Sequence, residues 1–153
     1  MLTIQDTNVL SELRLPSPDP NVATWFGMLD PDDVAIASFT MTEIEYGIRR
    51  LPASRTAQAV QLAAWRDAIR TSHHVLPFDT EAALVLGQMY ANAALSARAA
   101  TSKWPGFGGD LIIAATAIAH HACVATRNLA DFAFAAQHFP KLTGIDPFTG
   151  TRF

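Results

Sequence analysis

Cysteine, charge and long apolar runs are all scarce in this chain. Cys123 is its only cysteine, which excludes an internal disulfide and a CxxC metal cluster. Charged residues make up 16% of the chain and apolar ones 50%, against about 25% charged in an ordinary soluble domain. That balance excludes a disordered chain and predicts exposed apolar surface, hence a partner or a self-association face. Lysine and arginine number 11 against 14 aspartates and glutamates, a net charge of −3. Nucleic acid is therefore not held by bulk positive charge, although a local basic rim stays open. The longest apolar run, Leu111–Ala119, is about half of the ~18 residues that a membrane span needs. No basic segment followed by an apolar one opens the chain, so no signal peptide is read and a soluble, cytoplasmic protein is expected. Repeats, a P-loop, GxGxxG and the elbow of a serine hydrolase are missing too.

What is present is one domain's length, 153 residues, with β-like runs and helical patterns in alternation. The runs are Leu2–Gln5, Val34–Phe39, Val75–Phe78 and Ala122–Thr126, with a weaker fifth near Leu142–Ile145. Helices are expected at Thr7–Leu13, Asn21–Leu29, Thr42–Leu51, Ser54–Ser72, Thr80–Ala100, Asp110–His121 and Asp131–Phe139. This order predicts an α/β fold whose central, mostly parallel sheet of about four to five strands is flanked by helices. Such sheets bind ligands beyond the carboxyl ends of their strands. The residues there are Asp6, Glu43, Asp79 and Asp131, while Asp110 is read as opening a helix.

Each acid has an ordinary structural reading. Asp6 and Asp79 can cap the helices that follow them. Thr40 and Glu43 have the spacing of a capping box. Asp110 suits the positive end of a helix dipole, and Asp131 can cap the last helix or close an Asx turn. Their joint placement argues for more, because carboxylates gathered at one sheet edge repel unless a cation joins them. A hard ion such as Mg²⁺, held by one or two carboxylates and several waters, relieves that repulsion and suits phosphodiester hydrolysis.

At these residues the chain resembles the PIN-domain ribonucleases, in particular the VapC-type toxins of toxin–antitoxin pairs. Asp6-Thr7-Asn8-Val9-Leu10-Ser11-Glu12 is similar to their opening motif, and Thr42-Glu43-Ile44-Glu45-Tyr46-Gly47 to their Thr-Glu-(x)3-Gly. Asp110-Leu111-Ile112-Ile113-Ala114-Ala115-Thr116-Ala117 resembles the third motif, and Thr126-Arg127-Asn128-(x)2-Asp131-Phe132 the fourth. The resemblance implies a single PIN domain over residues 1–153, an Mg²⁺- or Mn²⁺-dependent endoribonuclease, and a homodimer neutralised by a cognate antitoxin. RNA is then the substrate, DNA is met only through the antitoxin, and no membrane is involved. Carried over by residue, Asp6 and Asp110 are the principal metal ligands, Glu43 is the third acid, and Asp131 is the fourth with Asn128 as its polar neighbour. Thr7, Asn8, Thr126 and Asn128 are the donors expected to hold those carboxylates in place.

Several features stand beside this reading. Trp104-Pro105-Gly106-Phe107 can stack on unpaired bases or pack on the sheet edge. Arg49, Arg50, Arg98, Lys103 and Arg127 form a phosphate-steering rim or simply a solvated face. The adjacent pairs His73-His74 and His120-His121 make poor chelates, because neighbours on a helix diverge by about 100°, and His138 has no evident partner. The helices carrying Trp25-Phe26 and Trp65 are candidates to receive an antitoxin segment, and Thr80–Ala100 is a buried helix or a dimer seam. Two other functions compete. One is an aspartyl-phosphate-type phosphatase with Asp6 as nucleophile, where the usual second acid is replaced by Asn8. The other is a non-catalytic binding module whose acids only cap helices.

Overall fold

A computed structural model of the chain describes residues 1–103 and 106–153. Among them, five strands form one sheet: β1 (Thr3–Gln5), β2 (Val34–Ala37), β3 (His74–Leu76), β4 (Cys123–Ala125) and β5 (Gly144–Ile145). Their order across the sheet is β3-β2-β1-β4-β5, with every neighbouring pair parallel. Ile4 of β1 lies opposite Ala35 on one side and Val124 on the other. The chain thus builds outward from β1 in one direction, then returns to its other side at β4. The reversal makes the β1/β4 boundary the switch point where an α/β sheet opens a crevice at its carboxyl edge.

Helices cover both faces, as a parallel sheet requires. Ala35 and Ala37 of β2 join the larger core while Ile36 between them joins the smaller one, the alternation of a strand buried on both sides. On the larger side lie α5 (Thr80–Ala91), α6 (Ala93–Thr101), α7 (Gly106–Ala119) and α8 (Leu129–His138). Leu111, Ile113, Ala114, Ala115 and Ala117 of α7 pack there with Ile4, Met89, Val124 and Phe132. The smaller side gathers Leu10 of α1 (Thr7–Leu13), Ile44 of α3 (Ser38–Arg49) and Ile69 of α4 (Thr56–Ser72) around Ile36. Trp65 packs into that cluster with the Arg14 guanidinium over its ring, so it is largely committed within the chain. Between α1 and β2 the chain forms α2 (Pro20–Gly27), capped by Asp19. No helix of the described residues is long and apolar enough to cross a membrane.

Four local expectations are corrected. The run Val34–Phe39 ends as strand at Ala37, and α3 begins at once, four residues before the expected Thr42. Thr40 is therefore inside a helix and fully buried, and the position before the helix is Ala37, which caps nothing with its side chain. The Thr40–Glu43 capping box does not form. Second, α7 begins at Gly106, so Asp110 is its fifth residue and does not stand at the dipole's end. Third, Thr80–Ala100 is two helices: Asn92 leaves helical geometry and its Oδ1 accepts from the N–H groups of Ala94 and Leu95, capping α6. Fourth, α8 starts at Leu129, which places Asp131 within its first turn instead of before it.

Smaller readings settle as well. Asp79 does cap α5, accepting from Ala82 N–H at 3.0 Å. His138 has a partner after all, an edge contact with the Phe134 ring at 5.3 Å. Trp104 and Pro105 lie outside the described residues, while Phe107 is buried in the core. Exposed apolar side chains are present as the composition required, among them Met28, Val60, Leu84 and Tyr90.

Candidate active site

The residues that follow β1 and β4 meet at the switch point. Asp6 N–H donates to Ala125 C=O at 2.9 Å, which extends the sheet's pairing by one step. The Asp6 side chain is then drawn into the crevice, 4% exposed, and every donor the sequence nominated reaches it or a neighbour. Oδ1 accepts from Thr7 N–H at 2.7 Å, so the capping role is real. Oδ2 accepts from Asn8 Nδ2 at 2.6 Å and from Thr126 Oγ1 at 2.7 Å. Asn8 is itself fixed, its Oδ1 accepting from Arg127 N–H at 2.9 Å. Capping and chemistry coexist in Asp6, because a carboxylate has more lone pairs than the cap uses.

Glu43 comes from α3 on the smaller face, and Thr7 Oγ1 donates to its Oε2 at 2.5 Å. Asp110 comes from α7 on the larger face. Asn128, just after β4, donates through Nδ2 to Asp110 Oδ2 at 2.9 Å and to Asp131 Oδ2 at 2.8 Å. Asp131 Oδ1 accepts from Arg98 of α6. Among the described residues Arg98 is the only cation paired with any of the four acids.

The electrostatics follow from this crowding. Burial raises the Asp6 carboxyl above its ordinary range, against the stabilising bonds from Thr126, Thr7 and Asn8. Burial pushes Glu43 up to about 7, the Thr7 bond opposing and the Asp6 charge adding. Asp110 is pushed up to about 8, first by burial and then by the charges of Asp6, Asp131 and Glu43. Carboxyls raised in this way hold protons near neutrality, and a cation would displace those protons. Among the described residues no three His, Cys, Asp or Glu side chains enclose an ion by themselves. An Mg²⁺ site asks for only one or two carboxylates and keeps several waters. An all-oxygen, charge-dense and partly desolvated donor set of this kind fits such a hard cation.

A PIN-domain family model matches residues 4–135. The chain belongs to the PIN-domain family. The match takes in Asp6, Glu43, Asp110 and Asp131, and stops short of β5. This PIN chain is 33% identical over 132 residues to a VapC ribonuclease of Sinorhizobium fredii, across 86% of this chain and 90% of that one. It is 29% identical over 137 residues to toxin FitB of Neisseria gonorrhoeae, across 89% and 94%. Its fold aligns with DNA-bound VapBC from Salmonella typhimurium at a TM-score of 0.69 and 26% identity, over 96% of this chain and 99% of that chain.

The basic rim resolves residue by residue. Arg49 is paired with Glu45, and Arg50 with the Tyr46 hydroxyl and ring. Arg127 is exposed beside the site, its guanidinium carbon 4.7 Å from the centroid of the Phe148 ring. Sequence reasoning gave Arg98 no more than a place on that rim. Nothing local marks it, since its acid partner is 33 residues away.

Proposed function

We propose that this chain is a metal-dependent endoribonuclease of the VapC type, the toxin of a toxin–antitoxin pair. The observation that carries the reading is the convergence of Asp6, Glu43, Asp110 and Asp131 from four elements onto the β1/β4 switch point, where burial raises Glu43 and Asp110, the Asp6 charge adds to the rise of Glu43, and the charges of Asp6, Asp131 and Glu43 add to that of Asp110. Kinship with a VapC ribonuclease and with toxin FitB supports it. Mg²⁺ or Mn²⁺ is the proposed ion, with Asp6 and Asp110 as principal ligands, Glu43 as the third acid and Asp131 as the fourth. When bound, the ion would supply a polarised water nucleophile and charge compensation for the leaving oxygen of an RNA phosphodiester.

The chain's own residues prepare that chemistry. Thr126, Asn8 and the Thr7 N–H fix both oxygens of Asp6. The Thr7 hydroxyl sets Glu43, and the Asn128 amide ties Asp110 to Asp131. Such supporting donors hold a site within the tolerance that metal binding needs. A cognate antitoxin, a homodimeric state, DNA contact only through the antitoxin, and a cytoplasmic single-domain protein complete the reading. The fold shared with DNA-bound VapBC agrees with it.

The test is cleavage of structured and unstructured RNAs by the antitoxin-free protein with Mg²⁺, with Mn²⁺ and with EDTA. Asp6→Asn and Asp110→Asn variants run beside it at matched thermal stability. Metal-dependent cuts that vanish in both variants are expected. Cuts that persist in them, or a chain that neither cuts RNA nor takes up Mn²⁺ in calorimetry, would overturn the reading.

A further inference from the structure

We infer that Arg98 is a positioning residue of the acidic site. It holds Asp131 from outside and, through Asn128, sets the orientation of Asp110. The inference rests on the metal-site reading above.

Arg98 lies near the end of α6, and its side chain is 38% exposed. A free surface arginine would wander there. This one is ion-paired with Asp131 Oδ1, and its guanidinium carbon sits 5.0 Å from the Phe107 ring centroid and 4.7 Å from that of Phe134. The two rings are themselves packed, 6.1 Å apart and inclined at 58°. Phe107 is a core residue of α7, 3% exposed, and Phe134 belongs to α8. Three helices therefore converge on one guanidinium. Its planar, weakly hydrated face suits aromatic contact while its edge still donates to a carboxylate.

The consequence reaches the centre of the site. With Oδ1 taken by Arg98, Asp131 presents Oδ2 to Asn128 Nδ2, and that same amide reaches Asp110 Oδ2. Arg98, Asp131, Asn128 and Asp110 form one continuous chain of donors and acceptors, anchored at its outer end in aromatic packing. Positioning and simple charge predict opposite signs for metal binding. A positive charge that merely sat near the site would repel a divalent cation, so its removal would tighten binding. An anchor that orients the acids would, when removed, weaken binding by about tenfold or more, the usual cost of losing such a support.

The experiment is Mn²⁺ titration by calorimetry and by electron paramagnetic resonance on the full chain. Arg98→Met, Arg98→Lys, Phe134→Leu and Asp110→Asn are compared with the unaltered protein, with melting curves in EDTA confirming that each folds. Arg98→Met is expected to weaken Mn²⁺ binding about tenfold and to broaden the bound-ion spectrum, with Arg98→Lys recovering part of both. Phe134→Leu keeps every charge and every carboxylate, and is expected to weaken binding to a lesser degree. Arg98→Met binding Mn²⁺ as tightly as the unaltered chain, or more tightly, would overturn the positioning role. If Asp110→Asn loses Mn²⁺ at the same time, the metal site itself stands. An unaltered chain that takes up no Mn²⁺ overturns both.

Discussion

Thr126 Oγ1 donates to Asp6 Oδ2 at 2.7 Å, joining the residue after β4 to the residue after β1 across the switch point. The same oxygen accepts from Asn128 N–H at 2.9 Å. One hydroxyl thus serves both halves of the site, the Asp6 half and the Asn128 half that carries Asp110 and Asp131. Thr126→Val keeps the shape and removes the bond inside a fully buried pocket. We expect a loss of about 2 kcal/mol, or a Tm lower by about 4–8 °C, together with Mn²⁺ affinity reduced about tenfold. Calorimetric melts and Mn²⁺ titrations check the two halves separately, and a Tm loss with unchanged Mn²⁺ affinity would confine Thr126 to folding.

Gly144 in β5 tests the sheet's far edge. A β-carbon there would lie 2.0 Å from the Phe153 ring and 2.6 Å from Val124 C=O. The ring can swing away. The carbonyl belongs to β4 and cannot, because β4 is paired on both sides. Gly144→Ala is therefore expected to cost about 1–3 kcal/mol. Adding Phe153→Ala should not restore it, and full rescue in a double-mutant melt would show that the ring alone is the obstacle.

Three of the four acids are legible because an α/β chain announces its strand ends, Asp6, Glu43 and Asp131 each following a β-like run by a few residues, whereas Asp110 follows no strand and is marked only by the motif it opens. Their supporting donors were legible too, being next to them in sequence: Thr7 and Asn8 beside Asp6, Asn128 three residues before Asp131. Positions decided by tertiary packing were not. Ser38 and Phe39 continue a β-like run, yet the chain turns into α3 there, and the Ser38 hydroxyl accepts from Phe78 N–H at 3.0 Å. Asn92 sits among strong helix formers that hide the break it makes. Arg98 meets Asp131, and Arg127 meets Phe148, only because helices and the terminal segment fold over the same edge.

Arg127 follows Thr126 directly, and Phe148 beneath it is fixed in turn. Phe148 N–H donates to Asp146 Oδ1 at 2.9 Å, and its C=O accepts from Asn21 Nδ2 at 2.9 Å. The guanidinium thus rests on a fixed ring and is exposed, on the residue between the site's Thr126 and Asn128, and under the proposed function it would meet an RNA phosphate. Arg127→Ala, made in the Asp110→Asn background so that no cleavage intervenes, is expected to weaken binding of a fluorescent single-stranded RNA about three- to tenfold. It should also reduce the slope of log affinity against log salt by about 0.7, the share of one phosphate contact. Anisotropy titrations between about 50 and 200 mM salt read both. An unchanged slope would return Arg127 to the solvated surface.

Asp110 links the site's charge to the stability of the chain. In the folded protein its carboxyl titrates at about 8 and that of Glu43 at about 7, whereas both titrate near 4 when unfolded. Between pH ~4.5 and ~8 the folded chain binds more protons than the unfolded one, so stability must fall as pH rises through that window. The Tm of metal-free protein is expected to drop by on the order of 10 °C from pH 5.5 to pH 8. Asp110→Asn removes one of the responsible groups, and the neutral amide spares Asp6, Glu43 and Asp131 a like charge. That variant should melt higher than the unaltered chain at pH 8 and show a shallower pH dependence. Mn²⁺ should raise the Tm of the unaltered chain at pH 8, leave Asp110→Asn unmoved, and release protons on binding, visible as a calorimetric heat that varies with the buffer. Parallel pH profiles for the two proteins would mean that Asp110 carries no strain in the fold, and the crowding of carboxylates would then lose its energetic meaning.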